Sequence, residues 1–147
     1  DSSDIEYQCY RHPLACAAAV ATIDVMKEEK ILENATKIGE EVLGPGLREL
    51  ASRHHVIGET RGIGVFWALD LVTDRATRAP LAPYAGSSPA MNELIAECKK
   101  RGLMPMTNFN RLHAVPPCNI SEIEAKEGLE ILDQAFAEID KHYLGAR

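Results

Sequence analysis

Residues 56–72 read VIGETRGIGVFWALDLV, and this stretch decides the fold because its second half alternates between two kinds of side chain. Val65, Trp67, Leu69 and Leu71 occupy every second position, so they share one face of an extended chain. Such alternation is typical of a β-strand with one face on a core. The sequence therefore predicts a strand here, in a chain whose remaining apolar patterns are mostly helical.

The glycines before this strand predict a bulge or a close backbone approach at its start, and Val56-Ile57 is predicted to form a short partner strand. Upstream, Pro13 suits the first position of a helix over 13–28, in which apolar residues recur at helical spacing. A second helical pattern covers 31–53. Its Gly-Pro-Gly at 44–46 is expected to break or kink it, because proline lacks a backbone donor.

Downstream, 73–87 is predicted to be a long polar loop, and Ser88-Pro89 to start a helix that Gly102 stops. Short strands are predicted at 103–106 and 112–115. Ser121 and Glu124 form a capping box for a last helix that runs to about residue 143. The predicted fold class is α+β: one domain with a small, largely antiparallel sheet covered by helices and preceded by a long N-terminal helix.

Charge and composition exclude several functions. The formal net charge of −6 repels phosphate backbones, so no nucleic-acid partner is expected. No apolar run is long enough for a membrane span, and the first residues printed lack the basic start and apolar stretch that a signal peptide is expected to have. The four cysteines form no C-x-x-C pair, which indicates a reducing, cytoplasmic location.

Few residues indicate chemistry by themselves. His54-His55 ends a polar helix and is interpreted as a pair of solvated cations rather than metal ligands; no metal motif is present. All lysines fall on polar helix faces or at helix ends, so none is predicted to be a desolvated nucleophile. Arg111 stands in a sparsely charged stretch, where its planar fork could bind a carboxylate. A surface arginine without a specific partner is the equal alternative, and His113 would share its strand face.

Four stretches together resemble a known family. HPLACAAAVATIDVM, ATKIGEEVLGPGLREL, VIGETRGIGVFWALDLV and RGLMPMTNFNRLHAVPPCNISEIEAKEGLEILDQAF follow one another as in the C-terminal part of class III (omega) aminotransferases, which are fold type I enzymes dependent on pyridoxal phosphate. The resemblance implies that 13–147 is the small domain and that 1–12 continues from a missing large domain. That large domain is expected to carry the lysine that forms the Schiff base, so no catalytic residue is expected in this chain.

The resemblance also implies site residues. Gln8 stands where the family has a threonine that contacts the cofactor phosphate of the neighbouring subunit, so the resemblance implies that Gln8 is the cofactor-binding position, with an amide in place of the family's hydroxyl. Many members bind the substrate carboxylate with an arginine before the Pro-Pro turn. Counting back from Pro116-Pro117, the commonest spacing falls on Met106, and that of a shorter-looped subgroup falls close to Arg111. Arg111 is therefore the candidate substrate-binding residue.

The function implied is transfer of an amino group from an amine or omega-amino acid to a 2-oxo acid, by a cytoplasmic homodimer whose cofactor is pyridoxal phosphate. The chain alone is expected to be inactive. Two alternatives remain: a non-catalytic interaction or regulatory module derived from the same fold, and an aminomutase of the same family.

Overall fold

The computed structural model describes residues 12–146, and its elements follow the predicted order closely. Three helical segments come first: α1 (Pro13–Glu28), α2 (Ile31–Ile38) and, after a π-helical turn over Gly39–Leu43, α3 (Gly44–Arg53). The hairpin β1 (Ile57–Ile63) and β2 (Phe66–Asp74) follows, then the short β3 (Ala79–Pro80) and α4 (Pro89–Lys100). The last elements are β4 (Met106–Asn108), β5 (Arg111–Ala114), α5 (Glu122–Ile139) and a 3₁₀ turn over Asp140–His142.

The strands form one antiparallel sheet in the order β1-β2-β5-β4, and β3 pairs with the far end of β2. The inner face of this sheet joins the helices in one core. Trp67, Leu69, Leu71 and Leu112 are all buried there together with Phe136 of α5. The predicted fold class, α+β with a largely antiparallel sheet covered by helices, is thereby confirmed.

Several local predictions are confirmed by the structure. Helix α1 has the predicted bounds with Pro13 in its first turn. The Ser88 side chain accepts a hydrogen bond from the Met91 amide at the start of α4, and Ser121 and Glu124 form the predicted capping box of α5. These ends are specified locally, because each cap needs only residues within one helical turn.

The predicted break at 44–46 is wrong in its position. Gly44 is helical, with φ −59° and ψ −54°, and Pro45 lies in the first turn of α3. Proline is tolerated there because its missing N–H would have no partner within the helix. The irregularity lies just before, in the π-helical turn over Gly39–Leu43.

Three strand predictions also need correction. The partner of β2 is the whole of β1, with a register irregularity between Ile57 and Glu59, rather than Val56-Ile57 alone. The predicted loop at 73–87 contains β3 and two buried residues, Leu81 and Ala82. The last two strands are shifted from their predicted bounds: β4 covers 106–108 instead of 103–106, and β5 covers 111–114 instead of 112–115. Pairing with a neighbouring strand decides these bounds, and the pattern within a single strand does not show where the pairing begins or ends.

Helix α1 stands apart from the core. None of its residues is buried, and the side chains of Leu14, Val20 and Ile23 are 72%, 59% and 50% exposed. Lys30, in the left-handed conformation with φ 52°, turns the chain from α1 into α2. The apolar residues that recur along α1 are therefore exposed in this chain.

Candidate functional site

The outer face of the sheet, which turns away from the core, carries the charged residues of the candidate site in two adjacent rows. Cross-strand pairing sets the first row, which consists of Glu59, Asp70, Arg111 and Asn108. The second row consists of Arg61, Ala68, His113 and Met106. Residues two apart on a strand point to the same face, so both rows face the same side.

An ion-pair network connects the two rows. Asp70 lies at the centre: its Oδ2 is 2.6 Å from Nη2 of Arg61, and its Oδ1 is 3.3 Å from Nε of Arg111. Nη1 of Arg61 lies 3.4 Å from Oε2 of Glu59. Arg61 reaches Asp70 across the diagonal of the hairpin, a distance that long side chains span. The network therefore runs from Glu59 through Arg61 and Asp70 to Arg111.

Arg111 keeps unused hydrogen-bonding capacity in this arrangement. The contact with Asp70 is made by its Nε, and within residues 12–146 no hydrogen bond from its two terminal nitrogens is observed. Its side chain is 39% exposed, so these nitrogens can be reached by a ligand. With Nε held by Asp70, the two terminal nitrogens of the guanidinium can bind an oxyanion through two parallel N–H donors.

The network opens onto a cleft of about 490 Å³ at the end of the sheet where β2 meets β3. Arg78 and Arg75 also line this cleft. Arg75 has a structural role, because its guanidinium donates hydrogen bonds to the carbonyls of Ala51, His54 and Ile57. The other cations, Arg61, Arg78 and Arg111, outnumber the two carboxylates of Glu59 and Asp70 by one. The cleft is thus locally positive in a chain of net charge −6.

An apolar cavity of about 200 Å³ lies beside the second row, between α5 and the β4–β5 hairpin. Met106 and His113 form part of its wall, and Leu129 and Leu132 of α5 form another part. Met106 itself is 66% exposed. Both positions that the resemblance indicated, Met106 and Arg111, are therefore on the outer face in adjacent rows.

Sequence reasoning identified Arg111 and placed His113 on its face, which the strand register confirms. It missed Asp70, Glu59 and Arg78 as neighbours of Arg111. The alternation in residues 65–72 could have revealed Asp70, because it places this carboxylate on the strand face that points away from Leu69 and Leu71. Gln8, the other candidate, lies outside the described residues.

The histidine prediction is wrong for His54. This side chain is 6% exposed, and its Nδ1 and Nε2 each lie 2.7 Å from a carboxylate oxygen, of Asp140 and Asp133 respectively. Helix α5 and the turn after it supply both carboxylates from far along the chain, so no local pattern could reveal them. Within residues 12–146, no group of three histidine, cysteine or acidic side chains could hold a metal ion.

The chain's own residues do not fit a covalently held pyridoxal phosphate. Such a cofactor needs a lysine whose ammonium is desolvated enough to lose its proton. All seven lysines of the sequence are exposed: Lys27, Lys30, Lys37, Lys99, Lys100, Lys126 and Lys141. The hydrogen bond to Glu93, with the attraction between the two charges, raises the pKa of Lys141, which favours its protonated form.

Cysteine offers no activated nucleophile in the core. Burial raises the pKa of the Cys98 thiol to about 11, so this thiol stays protonated at neutral pH. Cys98 and Cys118 are both free thiols. Among the helices between residues 12 and 146, none has the length and apolar character needed to cross a membrane.

Comparison with known proteins gives consistent matches. The sequence profile described as "Aminotransferase class-III" matches residues 10–136. The chain is 34% identical over 130 residues to the 5-aminovalerate aminotransferase of Pseudomonas aeruginosa, covering 86% of this chain and 29% of that protein. It is 35% identical over 130 residues to ethanolamine-phosphate phospho-lyase homolog 1 of Caenorhabditis elegans, covering 85% of this chain and 26% of that protein.

A solved structure shares the fold as well. The amine transaminase from an uncultivated Pseudomonas species, determined in its PLP-bound form, superimposes with a TM-score of 0.77 at 37% identity. The match covers 86% of this chain and 28% of that one. The chain thus spans less than a third of the length of these relatives.

Proposed function

This chain belongs to the class-III aminotransferase family, and from that premise we propose that it forms the C-terminal small domain of an enzyme that moves an amino group to a 2-oxo acid. The amino donor is an amine or an omega-amino acid. Pyridoxal phosphate, which the related amine transaminase binds, supplies the electron sink for this chemistry. A large domain elsewhere in the protein contributes the lysine that holds this cofactor.

The main support for assigning the cofactor lysine to another domain is that all seven lysines of this chain are exposed. A domain of this family without a desolvated lysine has a supporting role, which is to close over the substrate and bind its distal group. Helix α1, exposed on every face, packs in this proposal on the large domain. Residues 1–12 continue from that domain, and residues 13–147 form the small domain.

Arg111 is the residue that we propose binds the substrate's anionic group. The substrate names of two relatives, 5-aminovalerate and ethanolamine phosphate, each combine an amine with an anion. The positive cleft and the unused terminal nitrogens of Arg111 match that anion. The exposed side chain of Met106, in the adjacent row of the same face, would then lie near the hydrocarbon part of the donor.

The full-length enzyme acts, in this proposal, as a homodimer in the cytoplasm. The family resemblance supports the homodimer. The free thiols of Cys98 and Cys118 support a reducing compartment, where thiols persist unpaired.

The chain by itself should show no transaminase activity and acquire no specific cofactor lysine. We expect incubation with pyridoxal phosphate and borohydride to label the seven lysines slowly and at similar rates, because all are exposed and none is desolvated in a pocket. Peptide mass analysis measures this labelling. Stoichiometric labelling of one lysine in the folded chain, abolished by urea, would contradict the proposal.

A further inference from the structure

The positive cleft at the end of the sheet gathers four guanidinium groups around two carboxylates. Its cations are Arg61, Arg75, Arg78 and Arg111, and its carboxylates are Glu59 and Asp70. Four positive and two negative groups leave a local formal charge of +2, in a chain whose formal net charge is −6. A cleft of this charge attracts anions, and its volume of about 490 Å³ is in the range of ordinary ligand pockets.

The contacts within the cleft show which charges are already balanced. Both carboxylates are paired with Arg61, at 2.6 Å for Asp70 and 3.4 Å for Glu59. The guanidinium of Arg75 donates to main-chain carbonyls, which satisfy its hydrogen bonds but leave its positive charge uncompensated. The remaining cations, Arg78 and Arg111, therefore have N–H donors available for an anion.

Arg78 is the exposed cation of the cleft, and its backbone conformation is unusual. It ends the turn between β2 and β3 with φ 56°, in the left-handed region that residues with a Cβ seldom adopt. Within residues 12–146, no hydrogen bond or ion pair of its side chain is observed. Glycine would form this turn with less strain. Strained conformations of this kind cluster at ligand-binding sites.

We propose that this cleft binds a tetrahedral dianion of the phosphate or phosphonate class, with Arg78 and Arg111 as its two ligands. Arg111 offers its two terminal nitrogens, because Asp70 holds its Nε. A carboxylate has one negative charge and two oxygens, which a single guanidinium satisfies. A phosphate-type group has about two charges and three oxygens, so it also engages the guanidinium of Arg78.

This inference deepens the proposed function and rests on it in one respect, namely that the dianion is the distal group of the amino donor. A donor that ends in a phosphonate contacts both arginines, whereas a donor that ends in a carboxylate contacts Arg111 alone. Arg78 thereby sets the preference between these two classes of donor. Binding of a free dianion in the cleft does not depend on the proposed function.

Anion titrations of the 147-residue chain, followed by NMR at constant ionic strength, test the site itself. The probes are inorganic phosphate and sulfate as tetrahedral dianions, and acetate as a carboxylate, at about pH 8, where a phosphate-type group carries close to two charges. Phosphate and sulfate should shift the amides of Arg78 and Asn110 and the Nε–H of Arg111. Their Kd should be at least about tenfold lower than that of acetate.

Arg78→Gly is the decisive variant, because it removes the guanidinium and at the same time relieves the left-handed backbone. It should weaken phosphate binding at least about tenfold and leave acetate binding unchanged. The urea midpoint of unfolding should rise, and a lower midpoint would identify Arg78 as a structural residue and overturn its assignment as a ligand. Lys37→Ala, which removes one exposed charge from α2 outside the cleft, should bind phosphate as the unaltered chain does.

The proposal is also overturned if acetate binds as tightly as phosphate, or if Arg78→Gly binds phosphate as tightly as the unaltered chain.

Matched donors test the consequence in the natural full-length enzyme. An omega-amino acid is compared with the aminoalkylphosphonate that has the same number of methylene groups. Arg78→Gly should lower kcat/KM for the phosphonate at least about tenfold more than for the carboxylate. Equal losses would overturn the inference and leave the proposed function standing. An enzyme that accepts neither donor would contradict the proposed function, and the anion titrations would still decide the site.

Discussion

Gly39→Ala should lower the free energy of unfolding by about 3 kcal/mol, the upper end of the usual cost of overpacking. A Cβ at Gly39 would lie 2.0 Å from the backbone oxygen of Gly64, where the tip of the β1–β2 hairpin packs on the π-helical turn. The obstacle is main chain, so no side chain can rotate away, and the hairpin or the helix must shift. Urea denaturation followed by the fluorescence of Trp67 measures the loss.

Gly128→Ala is the matched control. Gly128 lies inside α5, and a Cβ there would meet no heavy atom within 4 Å. Alanine should therefore stabilise the chain by about 0.5–1 kcal/mol, the usual helical difference between the two residues. Both variants replace glycine with alanine, and they should change the free energy of unfolding in opposite directions. A neutral Gly39→Ala would mean that the hairpin tip does not pack on the π-helical turn.

Arg111→Ala should reduce kcat/KM of the natural full-length enzyme for a carboxylate-bearing donor by at least roughly 30-fold, which corresponds to about 2 kcal/mol. The loss combines the missing charge-assisted pair with the cost of an unpaired anion in a closed cleft. Arg111→Lys should be nearly as harmful, because an ammonium cannot reproduce two parallel donors. Single-turnover rates of the amino-donor half reaction measure the effect.

Two comparisons make this prediction specific. A plain amine donor has no anion, so Arg111→Ala should leave its rate close to that of the unaltered enzyme. Arg78→Ala removes a positive charge from the same cleft but leaves the row of Glu59, Asp70, Arg111 and Asn108 unchanged. It should therefore lower kcat/KM for the carboxylate-bearing donor less than Arg111→Ala does. If Arg111→Ala slows both donors equally, or neither, Arg111 does not bind the carboxylate. Arg61, already paired with Asp70 and Glu59, is then the next residue to test.

Local signals account for the part of the fold that could be predicted from the sequence. The start of α1 at Pro13, the cap at Ser88 and the capping box at Ser121 each depend on residues within a single helical turn. The buried face of β2 followed from its alternation, because the pleat puts every second side chain on the same side. The four family-like stretches then indicated how these elements are ordered around a sheet.

Contacts between elements determined what the pattern within one element could not show. The length of β1 depends on its register with β2, and β3 forms only because β2 extends to Asp74. His54 is buried because Asp133 and Asp140, roughly 80 residues away, approach both of its nitrogens. The neighbours of Arg111 were hidden for the same reason, since Asp70 reaches it across a strand pair.

The most direct test of the proposed function is the position of the cofactor lysine in the natural protein. We predict that borohydride reduction of the protein isolated from its source fixes the pyridoxal phosphate to one lysine, and that peptide mapping places this lysine outside the 147 residues of this chain. The intact mass should then be several times the 16.1 kDa of this chain. A natural protein of about 16.1 kDa without such a lysine, or a label on one of the seven lysines of this chain, would contradict the account.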